Sequence, residues 1–282
     1  MTRAGALSLV LASLASRGAI AQSWRTVESA RQLRDSSEHH VRVQYGAGRI
    51  DIGATTAPVL YSMSIRYDEA TSTPIHSYDA DSRVLTLGVN VQSERLSRDM
   101  GDKGKGEMRL SLSRTVPVDL DLELGATRAV LDLGGLNVLG LRLESGASET
   151  VLDFSSPNRA RMRGLDVDVG AATFEARNLA NANASAMHIH GGVGGVDLDF
   201  GGQWSQDVSV DVDLALGKLT LHVPRDVGVR VELQKFLASF DQQGLQKRGD
   251  AYYSENWDSA KYHLRLHAQT TFGGVEIDRA ND

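Results

Sequence analysis

Cysteine is missing from the chain, and proline is scarce, at 5 of 282 residues. Without cysteine there is neither a disulfide framework nor a thiolate metal site, and no cysteine is available for lipid attachment behind an export signal. Aromatic residues make up only 6% of the chain. A protein of this length and composition must therefore be held together by the burial of aliphatic side chains.

Positive charge is also in deficit, since 30 Lys and Arg stand against 36 Asp and Glu, a formal net charge of −6. Nucleic acids and anionic lipids are bound through basic surfaces, so neither is expected as a partner. Nucleophile and zinc-protease signatures are absent as well. Aspartates paired with an arginine on one strand face would be the remaining route to a glycan-cleaving enzyme, but no spacing singles out such a pair. We therefore predict a non-enzymatic protein without a cofactor.

The N-terminus has the layout of an export signal. Arg3 supplies a positive charge, Ala4 to Ala15 form a short apolar run, and Ala19-Ile20-Ala21 places small residues where a signal peptidase reads them. The run is shorter than the roughly 20 residues that a membrane anchor needs. Residues 1–21 are therefore predicted to be a signal peptide. The mature chain would then be periplasmic or otherwise associated with the cell envelope, with no membrane span.

Alternating apolar and polar residues dominate the rest of the chain. From Val118 to Leu124 every second residue is aliphatic and each residue between is acidic, which is the period of a strand with one buried face. Blocks of this kind recur with a glycine at the sixth place, and from the second glycine onward the intervals are 21, 24, 22 and 25 residues. The glycines are Gly46, Gly125, Gly146, Gly170, Gly192 and Gly217.

A repeat of 21–25 residues with two or three short strands is the size of one coil of a β-solenoid. The glycines are interpreted as corners, because glycine tolerates positive φ and close backbone approach. Residues 22–115 are predicted to form an N-terminal β region and cap, residues 116–282 the repeat-bearing solenoid, and residues 235–262 an aromatic capping segment within it. A β-sandwich is the alternative fold, although it does not predict glycines at a fixed place.

The stretch from Val116 to Phe154 resembles the toast-rack domains of bacterial envelope proteins, and two later stretches are similar to the end of that pattern. The resemblance implies a right-handed, single-stranded β-helix and an adhesin-like module, and the family offers no established catalytic residues to carry over. The three stretches read VPVDLDLELGATRAVLDLGGLNVLGLRLESGASETVLDF, LALGKLTLHVPRDVGVRVEL and FGGVEID.

These observations predict an exported interaction, adhesin-like or scaffold module of the cell envelope, with an envelope protein or a glycan as its partner. Solenoid ends would also allow end-to-end self-association. The alternative is a Ca²⁺- or glycan-binding protein that uses the acidic strand face or the aromatic segment. His188 and His190 on one strand face, and Asp197 and Asp199, are the weak candidates for metal ligands. A solvated strand face is the preferred interpretation of the two aspartates, and a structural or surface role that of the two histidines.

Overall fold

The chain winds into a stack of parallel β layers in a computed structural model that describes residues 23–91, 106–241 and 244–279. The predicted signal peptide, residues 1–21, lies outside the described residues. In the part of the chain that the structure describes, no helix is long and apolar enough to cross a membrane.

The described residues form sixteen strands and one short 3₁₀ turn at Leu179–Ala182. In chain order the strands are β1 (Trp24–Gln32), β2 (His39–Thr55), β3 (Val59–Asp68), β4 (Ser72–Asp79), β5 (Val84–Val91), β6 (Glu107–Ser113), β7 (Pro117–Asp132), β8 (Asn137–Ser145), β9 (Glu149–Asp153), β10 (Leu165–Arg177), β11 (Ala186–Asp199), β12 (Val208–His222), β13 (Gly228–Asp241), β14 (Leu245–Arg248), β15 (Ala251–Ser254) and β16 (His263–Asp278).

The layers stack in parallel and in register. Strand β7 pairs with β8 and β9, which share one layer, and the stack continues through β10, β11, β12, β16 and β13. In stacking order, every pairing between neighbouring layers is parallel, from the layer of β5 and β6 at one end to β13 at the other. The predicted all-β solenoid is confirmed, and the β-sandwich is not the fold. The right-handed sense of winding stays a prediction.

Aliphatic columns fill the inside of the stack. Because side chains alternate across a strand and the layers are in register, every inward residue lies above the inward residue of the next layer. The inward side chains are therefore buried, and in one such column every member is at most 2% exposed. It contains Leu87, Val43, Leu122, Leu143, Val167, Ile189, Val212 and Ala268.

The order of layers departs from chain order at both ends. Strand β2 lies between the layer of β5 and β6 and the layer of β7, although β3 to β6 separate β2 from β7 along the chain. At the other end β16 is inserted between β12 and β13. The late partial repeat around Gly273 therefore completes an inner layer, and the outermost full layer is β13.

The two ends are covered by antiparallel strands. Strand β1 pairs with β3 and presents exposed charged side chains such as Arg25 and Glu28, so the N-terminal end is closed by an edge strand. At the far end β15 pairs with β13 at Arg230–Glu232, and β14 pairs with β15. In this hairpin Leu245 is buried, and Tyr252 packs edge-on against Phe240 at 4.9 Å.

Buried asparagines connect successive layers on a side of the coil that lacks long strands. The Nδ2 group of Asn158 donates hydrogen bonds to the carbonyl oxygens of Val138, Ala160 and Ala182, and its Oδ1 accepts one from the Val138 amide. These bonds satisfy backbone groups in a loop that would otherwise be buried without partners.

The predicted column of glycines is present, but the reason that it requires glycine differs from the expected one. Gly125, Gly146, Gly170 and Gly192 stack above one another, but none of them has φ in the left-handed region, so the expected positive φ was wrong. The constraint is close approach. A Cβ on Gly192 would lie 2.7 Å from the Gly170 carbonyl oxygen, a distance that real side chains do not adopt.

The alignment of Gly217 with Gly192 was also wrong, by two residues. In the register of β11 and β12, Gly217 pairs with Gly194, and Ala215 takes the place opposite Gly192. Gly217 therefore belongs to a second column, which continues to Gly273 in β16. Its glycines have positive φ, and a Cβ there would overlap the carbonyl oxygen of the preceding layer.

Substitution in this second column should destabilise the whole stack. Gly194 has φ +142°, and a Cβ on it would overlap the Ala172 carbonyl oxygen, whereas a Cβ on neighbouring Gly195 would meet nothing within 4 Å. We expect Gly194→Ala to lower the free energy of unfolding by about 3 kcal/mol or more, because backbone must move. Gly195→Ala should change it by less than about 1 kcal/mol. Denaturant melts of both variants test this, and equal midpoints would contradict it.

Candidate functional site

Two columns of exposed polar side chains run along the face formed by the first halves of the layer strands, which we call the ladder face. The first column contains Arg42, Asp121, Arg142, Asp166, His188, Asp211, His267 and Glu232. The second contains Gln44, Glu123, Glu144, Asp168, His190, Asp213, Gln269 and Gln234. The residues come from eight layers, so the face is about 34 Å long at about 4.8 Å per layer.

Basic and acidic residues alternate from layer to layer in the first column. Arg42 Nε lies 3.0 Å from Asp121 Oδ2, and His188 Nδ1 lies 3.5 Å from Asp211 Oδ2. His188 and Asp211 are about half exposed, whereas Asp121 is mostly buried beside the more exposed Arg42. Exposed pairs of this kind contribute only about 0–1 kcal/mol each. Their main consequence is that the acidic residues noted in the sequence are not a column of uncompensated carboxylates.

The second column is more acidic and borders a groove. Glu123 accepts a hydrogen bond from Gln44 Nε2 at 2.9 Å, and Glu144 accepts one from Arg142 Nε at 2.9 Å. The groove follows the glycine column at the bend and is lined by Glu123, Glu144 and Asp168 together with backbone of Gly125 and other glycines. The ladder face is therefore an extended polar surface with an acidic border at the bend.

The histidine candidates lie on this face, each beside a carboxylate of the next layer. His190 Nδ1 is 3.4 Å from Asp213 Oδ2, as His188 is close to Asp211. Both pairs follow from the in-register stacking of β11 and β12. The structure thus assigns each histidine a carboxylate partner one coil later in the sequence.

The aspartate candidates lie beyond the bend, on a different face of the coil. Asp197 Oδ1 is 3.3 Å from His222 Nε2, and the other ring nitrogen of His222 is 3.3 Å from Asp278 Oδ2. Asp199 accepts a hydrogen bond from the Gly201 amide at 2.8 Å, as in a turn. The four sequence candidates therefore do not form one site, and His222 was missed. Over residues 23–91, 106–241 and 244–279, no three His, Cys, Asp or Glu side chains form a group that could hold a metal ion.

A second surface lies where the C-terminal cap meets the ladder face, and we call it the cap cleft. It is lined by Arg230 and Arg265, which are neighbours in adjacent strands, and by Ser209, Asp211, Glu232 and His267. Aromatic rings stand beside the guanidinium groups: Arg230 Cζ is 5.9 Å from the centre of the Tyr253 ring, and Arg265 Cζ is 5.7 Å from that of Trp257.

Asp207 holds residues on one side of the cap cleft in place. Its carboxylate accepts hydrogen bonds from Arg265 Nη1 at 3.0 Å and from the His263 amide at 2.9 Å. Partial burial acts to raise the pKa of Asp207, but the hydrogen bonds from Arg265 and His263 outweigh it and hold that pKa below its usual range. Asp207 is therefore a carboxylate that positions Arg265 at the cleft.

The architecture defines the class of this protein, a parallel β-solenoid with long polar faces. Family comparison matches residues 20–164 to the "N-terminal domain of toast_rack, DUF2154" and residues 172–277 to "Cell wall-active antibiotics response LiaF, C-terminal". The first match spans just over half of the chain. The chain belongs to the toast-rack family, and the resemblance found in the sequence is confirmed.

Solved structures with a similar course of the chain have low sequence identity to it. One is a "putative cell adhesion protein" from Clostridium sporogenes, at 15% identity and a TM-score of 0.49, covering 92% of this chain and 100% of that chain. Another is a "putative adhesin" from Bacteroides fragilis, at 12% identity and a TM-score of 0.43, covering 90% and 97%. Among curated proteins, none matches this chain.

Calcium should not stabilise this protein measurably, because acidic residues of the first column alternate with basic ones and, among the described residues, no three His, Cys, Asp or Glu side chains form a group that could hold the ion. A calcium site filled at 100 times its Kd would add about 2.7 kcal/mol and raise the Tm by about 5 °C or more for a chain of this size. We expect melting curves in Ca²⁺ and in EDTA to coincide within about 1 °C. A shift of the larger size would show that the acidic border of the groove binds the ion.

Proposed function

We propose that this protein is an exported, non-enzymatic interaction module of the bacterial cell envelope, adhesin-like or scaffolding in its role. Export is supported by the layout of residues 1–21. The envelope setting is supported by the family models, one of which is named for a response to antibiotics that act on the cell wall.

The observation that carries the proposal is the ladder face. Eight layers present their exposed side chains in straight columns on a rigid parallel sheet. Such a surface suits an extended partner, since contacts can repeat every layer, about 4.8 Å apart. Asp166 and Asp168 lie near the middle of this face, are exposed and belong to different columns.

Charge reversal at the centre of the face tests the proposal. We expect the mature chain, residues 22–282, to co-sediment with an isolated envelope fraction. Asp166→Lys combined with Asp168→Lys should weaken this retention about tenfold, a loss of about 1.4 kcal/mol, because the acidic and basic pattern that meets the partner is inverted.

The matched control has the same change of charge on the face beyond the bend. Glu175 and Asp197 are register neighbours there, and Glu175→Lys with Asp197→Lys should retain binding. Melting curves establish that both double variants fold. The proposal fails if the parent is not retained by the envelope fraction, or if both double variants lose retention equally.

Glycan binding at the cap cleft is the second candidate function. The arrangement that favours it is the placement of Arg230 and Arg265 beside the rings of Tyr253 and Trp257. Aromatic faces stack on apolar sugar faces, and guanidinium groups bind carboxylates or phosphates in a bidentate manner. An anionic sugar combines both requirements.

Calorimetric titration with an oligouronate and with a neutral oligosaccharide of equal length tests this candidate. We expect heat from the oligouronate alone, and Trp257→Ala should abolish it because the stacking surface is removed. The hydrogen bond from His263 to Trp257 uses the backbone oxygen, so it can survive the substitution. Trp24→Ala, at the opposite end of the stack, is the control and should bind like the parent. Absence of heat with the parent would rule the candidate out.

A further inference from the structure

Exposed apolar side chains are concentrated at one bend of the coil. Among the described residues the exposed large hydrophobic side chains are Val130, Val193, Leu216, Phe236, Leu237 and Phe272. All except Val130 belong to the bend of four successive layers, β11, β12, β16 and β13. We call these five residues the apolar stripe. Contiguous apolar surface of this kind marks an interaction site more often than scattered exposed residues do.

The stripe is most exposed where it reaches the last full layer. Phe236 is 75% and Leu237 62% exposed, compared with 43–52% for the three residues of the inner layers. Phe236 packs edge-on against Phe272, with ring centres 6.4 Å apart. The outer end of the stripe is thus formed by two side chains of β13 that solvent surrounds on most sides.

Strand β13 is also an open edge at this point. It pairs with β16 along its length, but its pairing with β15 is confined to Arg230–Glu232. In the described part of the chain, the segment Leu233–Phe240 therefore has no strand on its outer side. The opposite end of the stack is different, because β1 covers it with exposed charged residues, the usual protection of an edge against further pairing.

Between the flanking residues Glu232 and Asp241, this edge carries little charge. The second column of the ladder face is acidic or basic from Glu123 to Asp213, but its last two members are Gln269 and Gln234. Within Leu233–Phe240 the only ionisable side chain is Lys235. A strongly acidic partner would find only Lys235 to pair with here, and the segment itself adds no acidic side chain to the repulsion between two copies of a net negative protein.

We propose that this edge is a dimer interface, in which Gln234–Phe240 pairs antiparallel with the same segment of a second copy. An antiparallel pair of identical strands is related by a two-fold axis, as in most homodimers. The strand bends at Phe236–Leu237, and an axis near Leu237 superposes the bend of one copy on that of the other. Lys235 of one copy then lies opposite Ser239 of the other, so the two lysines do not meet.

The proposed pairing between two copies extends the backbone pairing that joins successive layers within one chain. Each layer supplies backbone groups to the next, and Val193, Leu216, Phe272 and Leu237 stack in the same register. A second copy adds one more layer at the same spacing and covers Phe236 and Leu237. The result is a head-to-head dimer, about twice the length of one stack, with its ladder faces outside the interface.

Sedimentation equilibrium of the mature chain over a concentration series tests the proposal. We expect the parent to be a dimer and Phe236→Asp combined with Leu237→Asp to be a monomer. Val130→Asp is the matched control, because Val130 is the exposed apolar residue outside the stripe, and it should remain a dimer. A parent that is monomeric throughout, or a double variant that folds and remains a dimer, would overturn the proposal.

Cross-linking decides between end-to-end and side-by-side association, and it does not depend on a disruptive substitution. The chain has no cysteine, so a single introduced thiol gives an unambiguous product. Leu237→Cys should form a disulfide-linked dimer, because opposed Cβ atoms of an antiparallel pair are about 4.5–5.5 Å apart. Val193→Cys lies about 14 Å from the edge, at three layer spacings, and should not cross-link. Cross-linking through Val193 and not Leu237 would overturn the end-to-end arrangement.

Discussion

The structure depends on the in-register pairing of parallel backbone layers. At a spacing of about 4.8 Å the layers leave no room at the bend for side chains that point along the stack. Glycines therefore stack there, because a Cβ on Gly192 or on Gly217 would collide with the carbonyl oxygen of Gly170 or of Gly194 in the neighbouring layer. The same register aligns the buried aliphatic columns, so that one constraint shapes both the bends and the core.

The register also determines the chemistry of the surface. Side chains that are one coil apart in the sequence become neighbours, which brings His188 beside Asp211 and His222 between Asp197 and Asp278. Where arginine and carboxylate lie in adjacent layers, as do Arg42 and Asp121, their charges compensate each other. The result is a long polar face. The extended partner that we propose for this face would meet its side chains layer by layer.

The ends of the stack are where it differs most from a regular repeat. The N-terminal end is closed by a charged antiparallel strand, whereas half of the last full layer at the C-terminal end has no partner strand in the described residues. A solenoid has no natural end, so each terminus requires a cap or a partner. We infer that this protein uses a cap at one end and a cap combined with a second copy at the other.

Local periods in the sequence determined the strands, the coil length and the solenoid. Alternation from Val118 to Leu124 and the spacing of Gly125, Gly146, Gly170 and Gly192 depend on residues close together in the chain, which is why they could be interpreted without coordinates. Only the tertiary structure decided the place of Gly217, the insertion of β16 between β12 and β13, the role of His222 and the open edge of β13. Those features depend on which distant strands pair, and a two-residue shift leaves the alternating pattern of a strand unchanged while moving every neighbour.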